Sequence, residues 1–171
     1  MLYLRLIWLT MAVHKLLIDD FVTIDYQLIA IHSSLEDYRL AYFINRELST
    51  LLEKSPKDIG VKIKEGEGCF SRFVFEDAEN EIYWNLIQNK GLVISRQEGS
   101  TSLFGETGMD ITTSIFLLPE FKTVDYIVKI ENTGTSFGLN ELIDGLLSIR
   151  HVTTTYQINH HKLKSKNNLI F

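Results

Sequence analysis

The chain has one cysteine, Cys69, and two prolines, Pro56 and Pro119, in 171 residues. A single thiol excludes an internal disulfide framework and any multi-cysteine metal site, and it fits a reducing compartment, so cytoplasm is the expected location. With so few prolines and 45% hydrophobic residues, an unstructured chain is excluded, because this much apolar surface can offset the ordering entropy of the backbone. Long hydrophobic runs are also missing. The most apolar stretch, Met1 to Thr10, is far shorter than the roughly 20 residues a membrane span needs, and no small-residue cleavage site follows it. It is read as an upstream extension (1–10) outside the fold, with Met11 as the alternative start.

Acidic side chains are absent after Asp144, where Arg150, Lys162, Lys164 and Lys166 all lie. The remaining 13 basic residues face 22 acids, so a body of net charge −9 carries a basic end within an overall −5. Catalytic signatures are lacking too. Gly99 to Gly105 is not followed by Lys-Ser or Lys-Thr, and no Gly-x-Gly-x-x-Gly, Gly-x-Ser-x-Gly or His-Glu-x-x-His occurs. None of His14, His32, His151, His160 and His161 has metal-site spacing, and Cys69 reads as a small buried or semi-buried thiol. No cofactor or metal is expected, and the balance leans away from an enzyme.

Hydrophobic periodicity is well developed. Val22 to Ala30 alternate apolar and polar residues and become apolar on both faces at Ile29 and Ile31, as in an interior strand. Ser34, followed by Glu36 and Asp37, predicts a helix N-cap, and a helix from Leu35 to about Glu53 would bury Tyr38, Ala41, Ile44, Leu48, Leu51 and Leu52. Its outer face would carry Arg39, Arg46 and Glu47.

Phe70–Asp77 and Glu81–Gln88 flank a polar group and predict a hairpin, with Ile82 and Trp84 on one face. Leu92–Ser95 predicts a short strand, residues 98–110 a long surface loop, and Thr113–Leu118 and Val124–Ile130 two further strands. Gly138 precedes a second amphipathic helix expected to end near Tyr156.

Strands between two separated helices predict one α+β domain over residues 11–158: a mainly antiparallel sheet of five to seven strands with both helices packed on one face. Residues 159–171 are expected to form a basic C-terminal tail.

Leu118-Pro119-Glu120-Phe121-Lys122-Thr123-Val124-Asp125-Tyr126 resembles the signature of the bacterial IPExxxVDY family, with Leu118 in place of isoleucine. Asp25-Tyr26 before a capped helix and the Lys164–Leu169 ending are similar to that family as well. The resemblance implies a whole-length match but no reaction, since the family is uncharacterised.

Physically, Pro119 lacks an amide hydrogen and ends a strand, and Glu120 to Thr123 form the turn into the next. The alternative is a recognition site at Glu120 and Asp125. Thr23-Ile24-Asp25-Tyr26 also recurs as Thr123-Val124-Asp125-Tyr126. If those strands were neighbours in register, Asp25 and Asp125 would form a carboxylate pair able to bind a cation or shift a pKa; otherwise the echo is chance.

The leading functional expectation is a non-enzymatic protein-interaction or adaptor module with contacts at Pro119–Tyr126 or the basic tail. An enzyme or small-ligand protein using Asp25, Glu120 and Asp125 is the alternative, and nucleic-acid binding through Lys162, Lys164 and Lys166 a weaker one. The candidate binding set is Asp25, Tyr26, Glu120, Asp125, Tyr126, Lys162, Lys164 and Lys166.

Overall fold

A computed structural model describes residues 26–63, 66–97, 109–134 and 137–171. The start-site alternatives, Asp25 and most of the expected 98–110 loop lie outside the described residues.

Among the described residues, ten strands and two helices follow in the order β1 (Tyr26–Ser33), α1 (Asp37–Leu48), β2 (Glu53–Lys54), β3 (Ile59–Ile63), β4 (Gly66–Phe70), β5 (Arg72–Asp77), β6 (Ile82–Gln88), β7 (Lys90–Gln97), β8 (Met109–Phe116), β9 (Tyr126–Glu131), α2 (Leu139–Ser148) and β10 (Val152–Gln157). Six strands form one antiparallel sheet in the order β10-β1-β9-β6-β5-β2, and β3–β4 and β7–β8 form separate two-stranded ribbons. The α+β reading with a mainly antiparallel sheet holds.

Because successive strand residues point to opposite faces, the sheet has two cores. On one face Ile29, Ile31, Trp84, Leu86, Val128 and Ile130 meet Leu40, Ala41 and Ile44 of α1 and Leu142 and Leu146 of α2, so both helices lie on that face. A Cβ on Gly145 would stand 2.7 Å from Leu48 Cδ2, so the glycine lets the helices approach closely there. On the other face Leu28, Ala30, Ile87 and Ile127 meet Ile59, Phe70, Val93 and Ile115 from the ribbons and Ile158, Leu163 and Leu169 from the chain's last segment. The central strands β1, β6 and β9 therefore bury apolar side chains on both sides, with Asn85 and Lys129 as polar interruptions on the second.

Several expectations need correction. α1 begins at Asp37 with Glu36 as its N-cap and makes no side-chain capping bond; Ser34 plays no such part. It stops at Leu48, with Ser49 in the left-handed region (φ 53°), so Leu51 is off the helix and 69% exposed. Tyr38, expected inside, is 60% exposed, and Leu40 takes the buried place.

α2 stops at Ser148, and His151 (φ 73°) turns the chain back into β10. The β-branched run Thr153–Thr155, poor in a helix, becomes an edge strand beside β1. Cys69 is exposed. Residues 159–171 are packed into the second core through Leu163 and Leu169 rather than hanging free. Among the described residues no helix is long and apolar enough to cross a membrane.

Candidate functional site

The motif loop is organised around one buried amide. Asn89 lies where the chain leaves β6 for β7, and it is fully enclosed. Its Nδ2 donates to the carbonyls of Phe121 (2.8 Å) and Val124 (3.0 Å), and its Oδ1 accepts from the Leu118 amide (2.9 Å). Its own amide donates to Asp125 O, and its carbonyl accepts from Leu117 N, both at 2.9 Å. Residues 117–125 thus wrap around a side chain with every buried polar atom satisfied, as low-dielectric surroundings demand. Pro119 opens a 3-10 turn, Pro119–Phe121, at a position that needs no amide donor.

Within this loop each acidic or phenolic motif residue holds a different neighbour. The Glu120 carboxylate accepts from the amides of Lys164 (2.7 Å) and Ser165 (2.9 Å) and from the Ser165 hydroxyl (3.1 Å). Burial pushes its pKa up, but these donors, with its own backbone amide, outweigh that and hold the carboxyl below its ordinary range.

Asp125 accepts from the Ser33 amide at 3.0 Å and from Lys90 Nζ at 2.5 Å. Tyr126 is buried and donates to the Leu35 carbonyl at 2.7 Å. Burial first, then the charges of Asp37, Asp125 and Glu36, push its pKa up to about 12, so it remains a neutral donor.

Of the candidate residues the fold joins Glu120 to the backbone of Lys164, while Tyr26 lies apart from the Asp125–Tyr126 pair. β1 and β9 are antiparallel neighbours, Tyr26 faces Glu131, and Tyr126 faces Ile31, so the two Asp-Tyr strand entries start from opposite ends of the pair. Asp25 itself lies outside the described residues. Tyr26 packs edge-on against His160 at 4.8 Å. Lys162, Lys164 and Lys166 are exposed on the docked C-terminal segment. Among the described residues no group of three or more His, Cys, Asp or Glu is placed to hold a metal ion.

Two features were missed in whole or in part. The first is the outer side of α1: Arg39 and Arg46 lie there as expected, but Tyr38 and Tyr42 join them at helical spacing, and all four are exposed. Tyr42 packs on Phe43 at 5.4 Å, and the Arg46 guanidinium lies 5.0 Å over the same Phe43 ring. The i, i+4 spacing of Tyr38 and Tyr42 was the available signal.

The second is a polar stripe on the sheet face opposite the helices: Arg72, Asn85, Lys129 and Glu131. Its signal was Lys129, the one charged residue within the apolar run Tyr126–Ile130. Comparison with family models, with curated proteins and with solved structures finds no match for this chain.

Proposed function

We propose that the protein is a non-enzymatic interaction module of the cytoplasm, and that the outer face of α1 is its principal contact surface. The observation that carries this is the pair Tyr38 and Tyr42, 60% and 61% exposed on adjacent turns and interleaved with Arg39 and Arg46. Large aromatic rings and arginine are the residue types that dominate binding energy at protein interfaces. Neither arginine makes an ion pair among the described residues, which favours an acidic partner segment.

The motif's carboxylates support the non-enzymatic side of the reading. Glu120 and Asp125 each spend both oxygens on structural donors, which leaves them poorly suited to acid–base work. The exposed lysines 162, 164 and 166 form a secondary surface for a partner of the same acidic character. On the strength of the Leu118–Tyr126 motif, the same proposal places the chain with the bacterial IPExxxVDY family.

Quantitative affinity purification of the tagged full chain from its own cells tests this, with Tyr38→Ala/Tyr42→Ala and Lys162→Ala/Lys164→Ala/Lys166→Ala run beside the wild type. A partner should be lost by about tenfold or more with the tyrosine variant, matching the removal of a hot-spot pair, and mostly retained with the lysine variant. Undiminished recovery by the tyrosine variant would remove α1 from the proposal, and the absence of any specific partner would remove the adaptor reading itself.

A further inference from the structure

The polar stripe opens at one end into a groove of about 500 Å³, within the range of small-molecule sites. The groove runs between β3 and the docked C-terminal residues, and Lys57, Asp58, Lys62, Arg72, Asn167 and Phe171 are among the residues that line it. Three cationic side chains therefore line it against one acidic side chain, Asp58, which is already paired with Lys54 at 2.7 Å.

Arg72 is the key group. It starts β5 and points away from the helices, because Phe73 and Phe75 take the helix-side core. Its Nε donates to Asn85 Oδ1 at 3.0 Å, and its guanidinium carbon lies 4.3 Å from the Phe171 ring centroid.

These contacts fix the plane of the fork, yet among the described residues no carboxylate lies within ion-pair distance of it. Burial disfavours the Arg72 charge, and Glu131 compensates from a distance. The contrast with its neighbour is instructive. Lys129, on the same stripe, is satisfied by Glu131 at 2.6 Å and by the Leu169 carbonyl at 3.0 Å. A half-buried guanidinium, held over an aromatic ring with its terminal amino groups unclaimed by any acid, suits a bidentate oxyanion.

We propose that this groove binds a small organic phosphate monoester, with the phosphate on Arg72, Lys57 and Lys62 and the organic part against Phe171 and Ile170. The excess of cations favours a dianion over a monocarboxylate, because each further charge adds a charge-assisted bond. The ring and aliphatic surface at 170–171 favours an ester over free phosphate.

The test is amide chemical-shift titration of the full-length protein with phenyl phosphate, inorganic phosphate, benzoate and benzyl alcohol. Phenyl phosphate is expected to shift the amides of residues 57–62 and 167–171 and to bind more tightly than the other three. Arg72→Gln should weaken it by about tenfold or more, and the surface change Lys62→Ala by about threefold. If Arg72→Gln proves unfolded, the Lys62→Ala result decides.

No shift at about 10 mM phenyl phosphate, a level that detects even millimolar affinity, would overturn the site. So would affinity unchanged in both variants, or shifts confined to other regions. Benzoate binding as tightly as phenyl phosphate would overturn the phosphate assignment, and inorganic phosphate doing so would overturn the role of Phe171.

Discussion

The two faces of the six-stranded sheet bury similar apolar surfaces by different means. The helix-covered face is sealed by Leu40, Ile44, Leu142 and Leu146, with the Tyr126 hydroxyl buried beside them. The opposite face is sealed by two ribbons and a C-terminal segment. It carries Asn85, Asn89 and Lys129 inside, with Arg72 and Glu131 at the margin.

Helices satisfy their own backbone bonds, so a face covered by helices can be purely hydrophobic. Loops and irregular segments bring unsatisfied amides and carbonyls with them, and those must be met by buried side chains. Asn89 and Lys129, which meet the backbone of residues 118–124 and of Leu169, are thus consequences of that covering. Asn85, on the same face, holds the Arg72 guanidinium beside the Phe171 ring at the groove.

The sharpest way to break this comparison is to remove the amide at its centre. Asn89→Ala leaves the Phe121 and Val124 carbonyls and the Leu118 amide buried without partners, and should cost about 3–5 kcal/mol at roughly 1–3 kcal/mol for each orphaned group with partial relaxation. Ile44→Ala on the helix face should fall in the same range, about 2–5 kcal/mol, through cavity formation alone. Urea denaturation measures both. The difference lies in rescue: Asn89→Leu, similar in volume and apolar, should restore nothing, whereas Ile44→Leu should recover most of the loss. Rescue by Asn89→Leu would show that packing, not hydrogen bonding, holds the motif loop.

A smaller effect is expected from Glu120→Ala, which removes the acceptor for Lys164 N, Ser165 N and Ser165 Oγ. Because this clasp is partly solvated, the loss should be about 1–2 kcal/mol. It should be local, and hydrogen exchange at the Lys164 and Ser165 amides should accelerate while the α1 amides stay protected. Uniform acceleration across both regions would mean that the C-terminal segment is not a separable cover.

How much of this was legible follows from the range of the interactions. The β5–β6 hairpin, the two-faced burial of β1 and the strand at Tyr126 were readable because each depends on alternation within a few residues. β10 was misread as helix because a helix stripe and a β-branched run meet at Ile149–Thr155, and only pairing with β1 settles which applies.

β3 and β4 went unnoticed, since Gly60, Gly66 and Gly68 break their pattern. Glu120 and Asp125 stood out as a motif, but their partners lie 44, 45 and 92 positions away in the chain. The spacing marked them as important without revealing which distant groups they clasp. Tyr38 was assigned to the wrong side because its spacing from Ala41 fits the buried stripe, as does that of Leu40 from Ile44, and it is Leu40 that the sheet covers.

The least costly change that sharpens the comparison is one of pH. His160 packs on Tyr26 within the C-terminal cover, and its Nδ1 is buried without a partner. Burial, with the nearby charge of Lys166 and a smaller push from His161, lowers its pKa below 6.5 against an opposing backbone bond with Tyr26. The unfolded chain therefore takes up a proton first as pH falls. Stability should be complete above pH 6.5 and decline below it until the folded-state value is reached.

Glu120, shifted the other way, keeps its contribution above pH 4.5 and loses it only below, so the two windows separate. Melting temperature measured from pH 7 to 5 should fall less steeply in His160→Gln than in the wild type. Parallel slopes would show that the cover tolerates the charged imidazole. The Tyr126 phenol buried on the helix side, with its pKa pushed up to about 12, stays neutral throughout that range and takes no part in the difference.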